Sequence, residues 1–427
     1  MLEGPSGVRA GMGFDEFCSY HHIDLKDAYA ALASYTELQP GEVLYLSGSL
    51  AEGLGNTKSD LDAFLITDRT LDLPTHGTII IVPFEACIID LELWSTSKAA
   101  NAITLLQACP HAEERDPRLS LRFRHGDLAF LHRLLVGYPL TENHAFRSLQ
   151  SRVDSRAVSR IIFDQSSAVI AGLVTDIAGL LQAADHDAAA VLAQRLLGFI
   201  LDAVLAVQGN TNPSQKWRFQ KLRHLEAEGF PYALPPCLTV PSAYEYFLSL
   251  YLMRDLRRPD YIDYVHECLR LARHTLPWGQ KLFCAHSPFD WIAERPDRRS
   301  IGDGGSLEPG GEPENRTSGV LGIDDELQCL PMLEPEVTAW WQRGDVILYG
   351  GRGKGELTVG EIALEALRYF DGKTTLGEAA RRLSTITPAS PRQLAQAITD
   401  LSICLGSYGF LDELEGQSVD TRTDVPL

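Results

Sequence analysis

Gly48 and Ser49 stand one loop ahead of Asp60 and Asp62, in the stretch Leu46-Ser-Gly-Ser-Leu-Ala-Glu-Gly-Leu-Gly-Asn-Thr-Lys-Ser-Asp60-Leu-Asp62. Two carboxylates one residue apart on a strand project from the same face. A rigid pair of oxygen donors is what magnesium takes from a protein, with phosphates and water completing its octahedron. Gly48 lets the backbone approach a phosphate closely, and Ser49 offers both its N–H and its hydroxyl. The chemistry within reach is that of a magnesium-held nucleoside triphosphate. A third acid completes a two-metal site, whose ions sit about 3.5–4 Å apart. Asp90, on Cys87-Ile-Ile-Asp-Leu-Glu-Leu, is the candidate, and Glu92 on the same face is the reserve.

Positioning these residues requires an α/β frame. The spacing of Leu25, Tyr29, Leu32 and Ala33 predicts a helix over 25–35, ended by Pro40-Gly41. Strands are expected over 43–46, 60–67, 78–82 and 86–94, with Asp60, Asp62 and Phe64 on one face of the second. Beyond this catalytic segment, placed at 1–110, helical apolar spacing dominates 131–135, 158–181, 188–207 and 243–256. An all-helical domain is therefore expected over 111–294. The Gly/Pro/acidic tract within 295–330 is too poor in apolar residues to offset its ordering entropy and reads as a flexible linker. A compact unit follows over 331–415, and 416–427 reads as a disordered tail. In that unit, strands over 346–349 and 356–359 flank a Gly350-Gly-Arg-Gly-Lys-Gly turn. A helix follows over 361–370. A second opens on the capping box Thr375-Leu-Gly-Glu378, and a third on Ser390-Pro391. The fold class is α+β, with a small C-terminal winged-helix unit.

The formal net charge of −19 repels polyanions, so long nucleic acids are disfavoured partners. It does not oppose nucleotides, because bound magnesium inverts the local charge. The eight cysteines occur singly, without metal-ligand spacing, and read as buried reduced thiols. The twelve histidines form no ligand cluster, and His21-His22 are expected at a surface helix start. Apolar runs over 168–181 and 188–207 are broken by Asp176 and by Gln194, Arg195 and Asp202, so no membrane span is expected. With no signal pattern at the N-terminus, a cytoplasmic protein is expected.

The Gly48-Ser49, loop, Ser59-Asp60-Leu61-Asp62 pattern with a distant third acid resembles the polymerase-beta-type nucleotidyltransferase superfamily. The segments Leu131-His-Arg133 and Asn212-Pro-Ser-Gln-Lys216-Trp217 are similar to those following the catalytic domain in bacterial stand-alone members. The resemblance covers about 25–225. It implies Asp60, Asp62 and Asp90 as catalytic metal ligands, Gly48, Ser49, Ser59 and Lys216 as nucleotide-binding residues, two magnesium ions, and ATP or another nucleoside triphosphate as donor. Lys216 would reach the triphosphate. Arg133, Arg218, Lys221 and Arg223 are weaker phosphate candidates, and Trp217 reads as core rather than as a base-stacking platform. The implied reaction is in-line attack of an acceptor hydroxyl on the α-phosphorus, with pyrophosphate leaving.

The C-terminal run from Ile347-Leu-Tyr, through Phe370-Asp-Gly-Lys-Thr-Thr, to Gly409-Phe-Leu411 resembles the small peptide-binding chaperone of pyrroloquinoline quinone synthesis. This PqqD-like fold recurs as the recognition element of enzymes that modify ribosomally made peptides. The resemblance implies a leader peptide captured at an edge strand, near 346–349 or 356–359, beside the third helix. Arg368, Lys373, Arg381, Arg382 and Arg392 also keep a DNA-binding winged helix in view. The expected activity is transfer of a nucleoside monophosphate, AMP by preference, onto a ribosomally made peptide. The alternatives are a small hydroxylated acceptor of the antibiotic type and a non-catalytic nucleotide-binding scaffold.

Overall fold

In the computed structural model, residues 11–69, 79–85, 87–109, 117–139, 143–231, 234–235, 238, 240–252, 260–284, 327–335, 337–342, 345–349 and 356–411 are described. The chain divides into two compact units: Met1–Ala168 with Leu201–Ala233 and Ser242–Ser249, and Val169–Ile200 with Leu234–Pro241 and Leu250–Leu427.

The first unit is built on a four-stranded sheet of β1 (Val43–Ser47), β2 (Leu61–Ile66), β3 (Ile79–Phe84) and β4 (Cys87–Trp94), in the spatial order β1-β2-β4-β3. The β2–β4 pair is parallel and the others are antiparallel. Period-two alternation separates its faces. On one, Leu44, Leu46, Leu61, Ala63, Leu65, Ile80, Val82, Ile89 and Leu91 form a core with Phe17, Ala28 and Leu32. Those three come from α1 (Phe14–His21) and α2 (Leu25–Thr36), the latter capped by Asp24, whose side chain accepts from the Lys26 N–H. The other face carries the acids. Beside them Tyr45 stacks on Phe64 with ring centroids 5.3 Å apart, and Trp94 stacks on Phe130 at 4.1 Å. Phe130 belongs to α4 (His125–Leu135), which follows α3 (Thr96–Gln107). Phe146 of α5 (His144–Gln150) closes on Tyr45 at 5.0 Å. The acids thus sit on a sheet face that aromatic packing holds rigid.

The long helices α6 (Ser155–Gln182) and α7 (His186–Val207) meet the expected helical runs. By length and composition both could cross a membrane, contrary to the reading of their polar interruptions. Yet 56% and 67% of their most apolar windows are buried within the protein, as in core helices. After α7 come a 3₁₀ turn (Gln215–Trp217), α8 (Arg218–Ala227) and α9 (Ala243–Tyr251).

In the second unit, α10 (Tyr261–Cys284) precedes an antiparallel sheet of β5 (Thr338–Gln342), β6 (Asp345–Tyr349) and β7 (Glu356–Val359), then α11 (Glu361–Leu367), α12 (Leu376–Leu383) and α13 (Pro391–Ser407). Its core joins Ala339, Val346 and Leu348 to Leu367, Phe370, Leu383, Leu394, Ile398 and Phe410. Arg273 of α10 is buried and donates to the Val337 and Glu334 carbonyls. The expected caps form in part. Ser390 and Gln393 make a reciprocal capping box, whereas Thr375 accepts from the Glu378 N–H while the Glu378 side chain turns to Arg382.

Several expectations are corrected. His21 ends α1 and His22 is its C-cap, so the pair closes a helix rather than opening one. β6 is hydrogen-bonded on both sides, so 346–349 is not an edge strand. Of the thiols, Cys109 and Cys268 are buried, but Cys18 and Cys87 are half-buried and Cys329 and Cys404 are exposed. The Gly350–Gly355 turn, residues 295–326 of the expected linker and the tail at 416–427 lie outside the described residues.

Candidate active site

The acids are delivered by strand register. Asp62 pairs with Ser47 across β1 and with Asp90 across β4, so Asp62 and Asp90 stand side by side. Asp60 lies one residue before β2. Its place is fixed by a tight turn: Asn56 N–H donates to Ser59 Oγ at 3.0 Å, Ser59 N–H to the Asn56 carbonyl at 3.0 Å, and Lys58 N–H to Asn56 Oδ1 at 2.8 Å. The Ser59 hydroxyl therefore closes a turn, and Ser59 is not among the pocket-lining residues.

Gly48 has φ +80°, and a Cβ built there would fall 1.8 Å from Asp62 Oδ2. Only glycine meets both demands. A cavity of about 300 Å³ opens over this point, lined by Gly48, Ser49, Glu52, Asp60, Asp62, Arg133, Asn212, Lys216 and Trp217 among others. Segments far apart in sequence thus converge on one pocket, and the anticipated Gly48, Ser49, Asp60, Asp62 and Lys216 are all in it.

The electrostatics suit a cation. Burial pushes the Asp62 carboxyl up to about 6; the Asp60 charge adds to this, Arg133 opposes it, and Asp90 and Glu92 raise it further. Asp90 is raised too, by burial, by the Asp60 charge and by a hydrogen bond its protonated form donates to Asp60. Carboxylates crowded enough to raise a neighbour's affinity for protons are carboxylates that a divalent cation would relieve. Among the described residues no group of three His, Cys, Asp or Glu side chains is arranged as a ready-made metal cage. Magnesium does not require one, since it is held by one or two carboxylates with substrate phosphates and water. The donor set fits that ion.

Glu92 is otherwise engaged. It accepts from Arg133 Nη1 at 2.5 Å and from Trp94 Nε1 at 2.7 Å. Arg133 also lies over the Phe64 ring, 4.8 Å from its centroid. Asp90 is the third acid that remains next to Asp60 and Asp62. Among the described residues Lys216 has no ion-pair partner, and its Nζ lies 4.5 Å from the Trp217 ring centroid. Trp217 is half-buried and lines the pocket, which corrects its reading as a core residue.

The other basic candidates point elsewhere. Arg218 is buried in a two-point pair with Asp202, at 2.6 and 2.5 Å. Lys221 donates to Glu52 at 2.7 Å, and Arg223 packs on Tyr244. Glu52, His132 and Asn212 were missed by the sequence reading. Their only early signal was that each falls inside a segment already singled out: Glu52 in 46–62, His132 in Leu131-His-Arg133 and Asn212 in the run to Trp217.

No protein-family model and no curated protein matches the chain. Among solved structures it is similar to a nucleotidyltransferase-like protein from Exiguobacterium sibiricum, with a TM-score of 0.35 and 13% identity over 64% of this chain and 81% of that one. So slight a likeness carries no argument, and the functional reading rests on the chain's own residues.

Proposed function

We propose that the chain is a magnesium-dependent nucleotidyltransferase. The observation that carries this reading is the Asp62 carboxylate seated on Gly48, beside Asp60 and Asp90, in a pocket that also holds Ser49 and Lys216. Asp60, Asp62 and Asp90 would hold magnesium, which supplies positive charge against the triphosphate and its leaving oxygens. Ser49 and the Gly48 backbone cradle a phosphate, and Lys216 neutralises charge on the departing pyrophosphate. Asp90, whose carboxyl is raised, is suited to take the acceptor hydroxyl's proton. The acceptor oxygen forms its bond to the α-phosphorus as the bond to the pyrophosphate oxygen breaks.

ATP is the donor of choice on abundance alone. The acceptor is a hydroxyl on a ribosomally made peptide, captured by the C-terminal unit. Two features support this. The Phe370-Asp-Gly-Lys-Thr-Thr turn forms, with Asp371 accepting from the Lys373 and Thr374 N–H groups and from the Thr374 hydroxyl. In addition, β7 is hydrogen-bonded to β6 on one side only among the described residues, and a strand of that kind accepts an extended peptide through its free backbone groups. The test is mass spectrometry of a candidate precursor peptide incubated with the full chain, ATP and magnesium. A gain of one nucleoside monophosphate is expected; an unmodified peptide beside a modified small hydroxylated acceptor would overturn the peptide assignment.

A further inference from the structure

Along the wall of the pocket lies a polar network that the proposed chemistry does not use. Glu52 sits three residues after Ser49, in a turn closed by Ala51 N–H on the Gly48 carbonyl at 3.1 Å and Leu54 N–H on the Ser49 carbonyl at 2.8 Å. Its side chain reaches the opposite wall. Oε1 accepts from Lys221 Nζ at 2.7 Å, and Oε2 accepts from Asn212 Nδ2 at 2.7 Å and lies 3.2 Å from His132 Nε2.

The network continues into the segment that bears Lys216. Asn212 Oδ1 accepts from the Ser214 N–H at 2.9 Å. Asn210 Oδ1 accepts from Lys221 Nζ at 2.6 Å, and Asn210 Nδ2 donates to the Asn212 carbonyl at 3.0 Å. His132 Nδ1 lies 2.9 Å from Thr211 Oγ1. Glu52 joins the turn of Gly48 and Ser49 to Asn212 directly, and through Lys221 and His132 to Asn210 and Thr211, in the segment just before Lys216.

We propose that Glu52 is a positioning residue that locks the Asn210–Lys216 segment against the Gly48-Ser49 turn, so that Lys216 faces the triphosphate. The charge balance fits this role. Burial favours a neutral Glu52, but His132 and Lys221 overcome it and hold the carboxyl at about 2, so it is ionised. Burial lowers both His132 and Lys221, and the Glu52 carboxylate between them opposes that shift in each. The Lys216 charge is left unmatched by any of these groups and free for an anion. A carboxylate within a phosphate pocket would repel its ligand if bare; here both oxygens are covered by donors.

The inference rests on the nucleotide reading for only one of its two readouts. The first is hydrogen exchange in the full chain. Glu52→Gln keeps the shape and removes the charge. Exchange over residues 209–217 is expected to quicken by about tenfold or more, while that over 356–411 stays unchanged. The second is a double-mutant cycle on MgATP affinity. Glu52→Gln is expected to weaken binding about tenfold in the wild-type background and less than about twofold in a Lys216→Ala background, because it acts through Lys216. Unchanged exchange, or equal weakening in both backgrounds, would overturn the proposal. If Glu52→Gln does not fold, Asn212→Ala cuts one link, keeps the Lys221 pair and is read the same way. If the wild-type chain binds no MgATP, the exchange readout still decides the role of Glu52, and the nucleotide reading is what falls.

Discussion

The Asp62 carboxylate occupies the space where a side chain on Gly48 would begin, with Oδ2 1.8 Å from the position of a Cβ. Gly48 also has φ +80°, where an L-residue is strained. Gly48→Ala is therefore expected to displace Asp62 and to cost on the order of 2 kcal/mol of stability, with activity falling about 100-fold or more. Thermal unfolding and initial rates on the same preparation check both numbers.

Asp62 sets function against stability. Its carboxyl is pushed up to about 6 by burial and by the neighbouring acids, so the folded chain binds more protons than the unfolded one between the ordinary aspartate value and about pH 6. The sign follows: without divalent cation, stability rises as pH falls through 6 and is lower at neutral pH. Asp62→Asn should abolish activity while stabilising the metal-free protein at pH 7.5 by roughly 2 kcal/mol. Magnesium should raise the wild-type Tm more at pH 7.5 than at pH 5.5, where protons compete. A wild-type Tm that rises from pH 5.5 to 7.5 without metal would contradict this.

The third acid can be decided by comparing two isosteric changes. Glu92 is held by Arg133 and Trp94, whereas Asp90 faces Asp60. Asp90→Asn is expected to lower kcat by about 1,000-fold or more, and Glu92→Gln by about tenfold or less, through a loosened Arg133. The reverse order would move the catalytic role to Glu92.

How much of this was open to view in the sequence follows from what was local. The Gly48-Ser49 turn needs only a glycine. Asp60 falls one residue short of β2 and is placed by the Asn56 turn, whereas Asp62 stands on the strand face where period-two reasoning put it. Asp90 followed the same rule on β4. Lys216 was legible only through resemblance, because its approach to the pocket depends on how α7 and α8 return the chain to the sheet. Ser59 was a nucleotide-binding candidate through resemblance alone, and its hydroxyl's place in the Asn56 turn is a local contact that the resemblance did not announce. Arg218 and Lys221 read as weaker phosphate candidates, and their burial against Asp202 and Glu52 is a tertiary outcome. β5, with Trp340 and Trp341 at its centre, has no alternating pattern to announce it. Nothing in local spacing tells that Glu52 would bridge to Asn212.

The peptide assignment separates cleanly from the small-molecule one. Removing the residues after Arg295 should abolish transfer to a leader-bearing peptide by about 100-fold or more, because capture supplies the effective concentration. Transfer to a small hydroxylated acceptor should survive. If the shortened chain modifies peptide as fast as the full one, the C-terminal unit is not the capture element.

The most direct test of the central claim is pyrophosphate release from a nucleoside triphosphate by the purified full chain, with and without magnesium, beside its Asp62→Ala variant. The account predicts release that requires both magnesium and Asp62, with the variant at background. Release at the wild-type rate from the Asp62→Ala protein would contradict it.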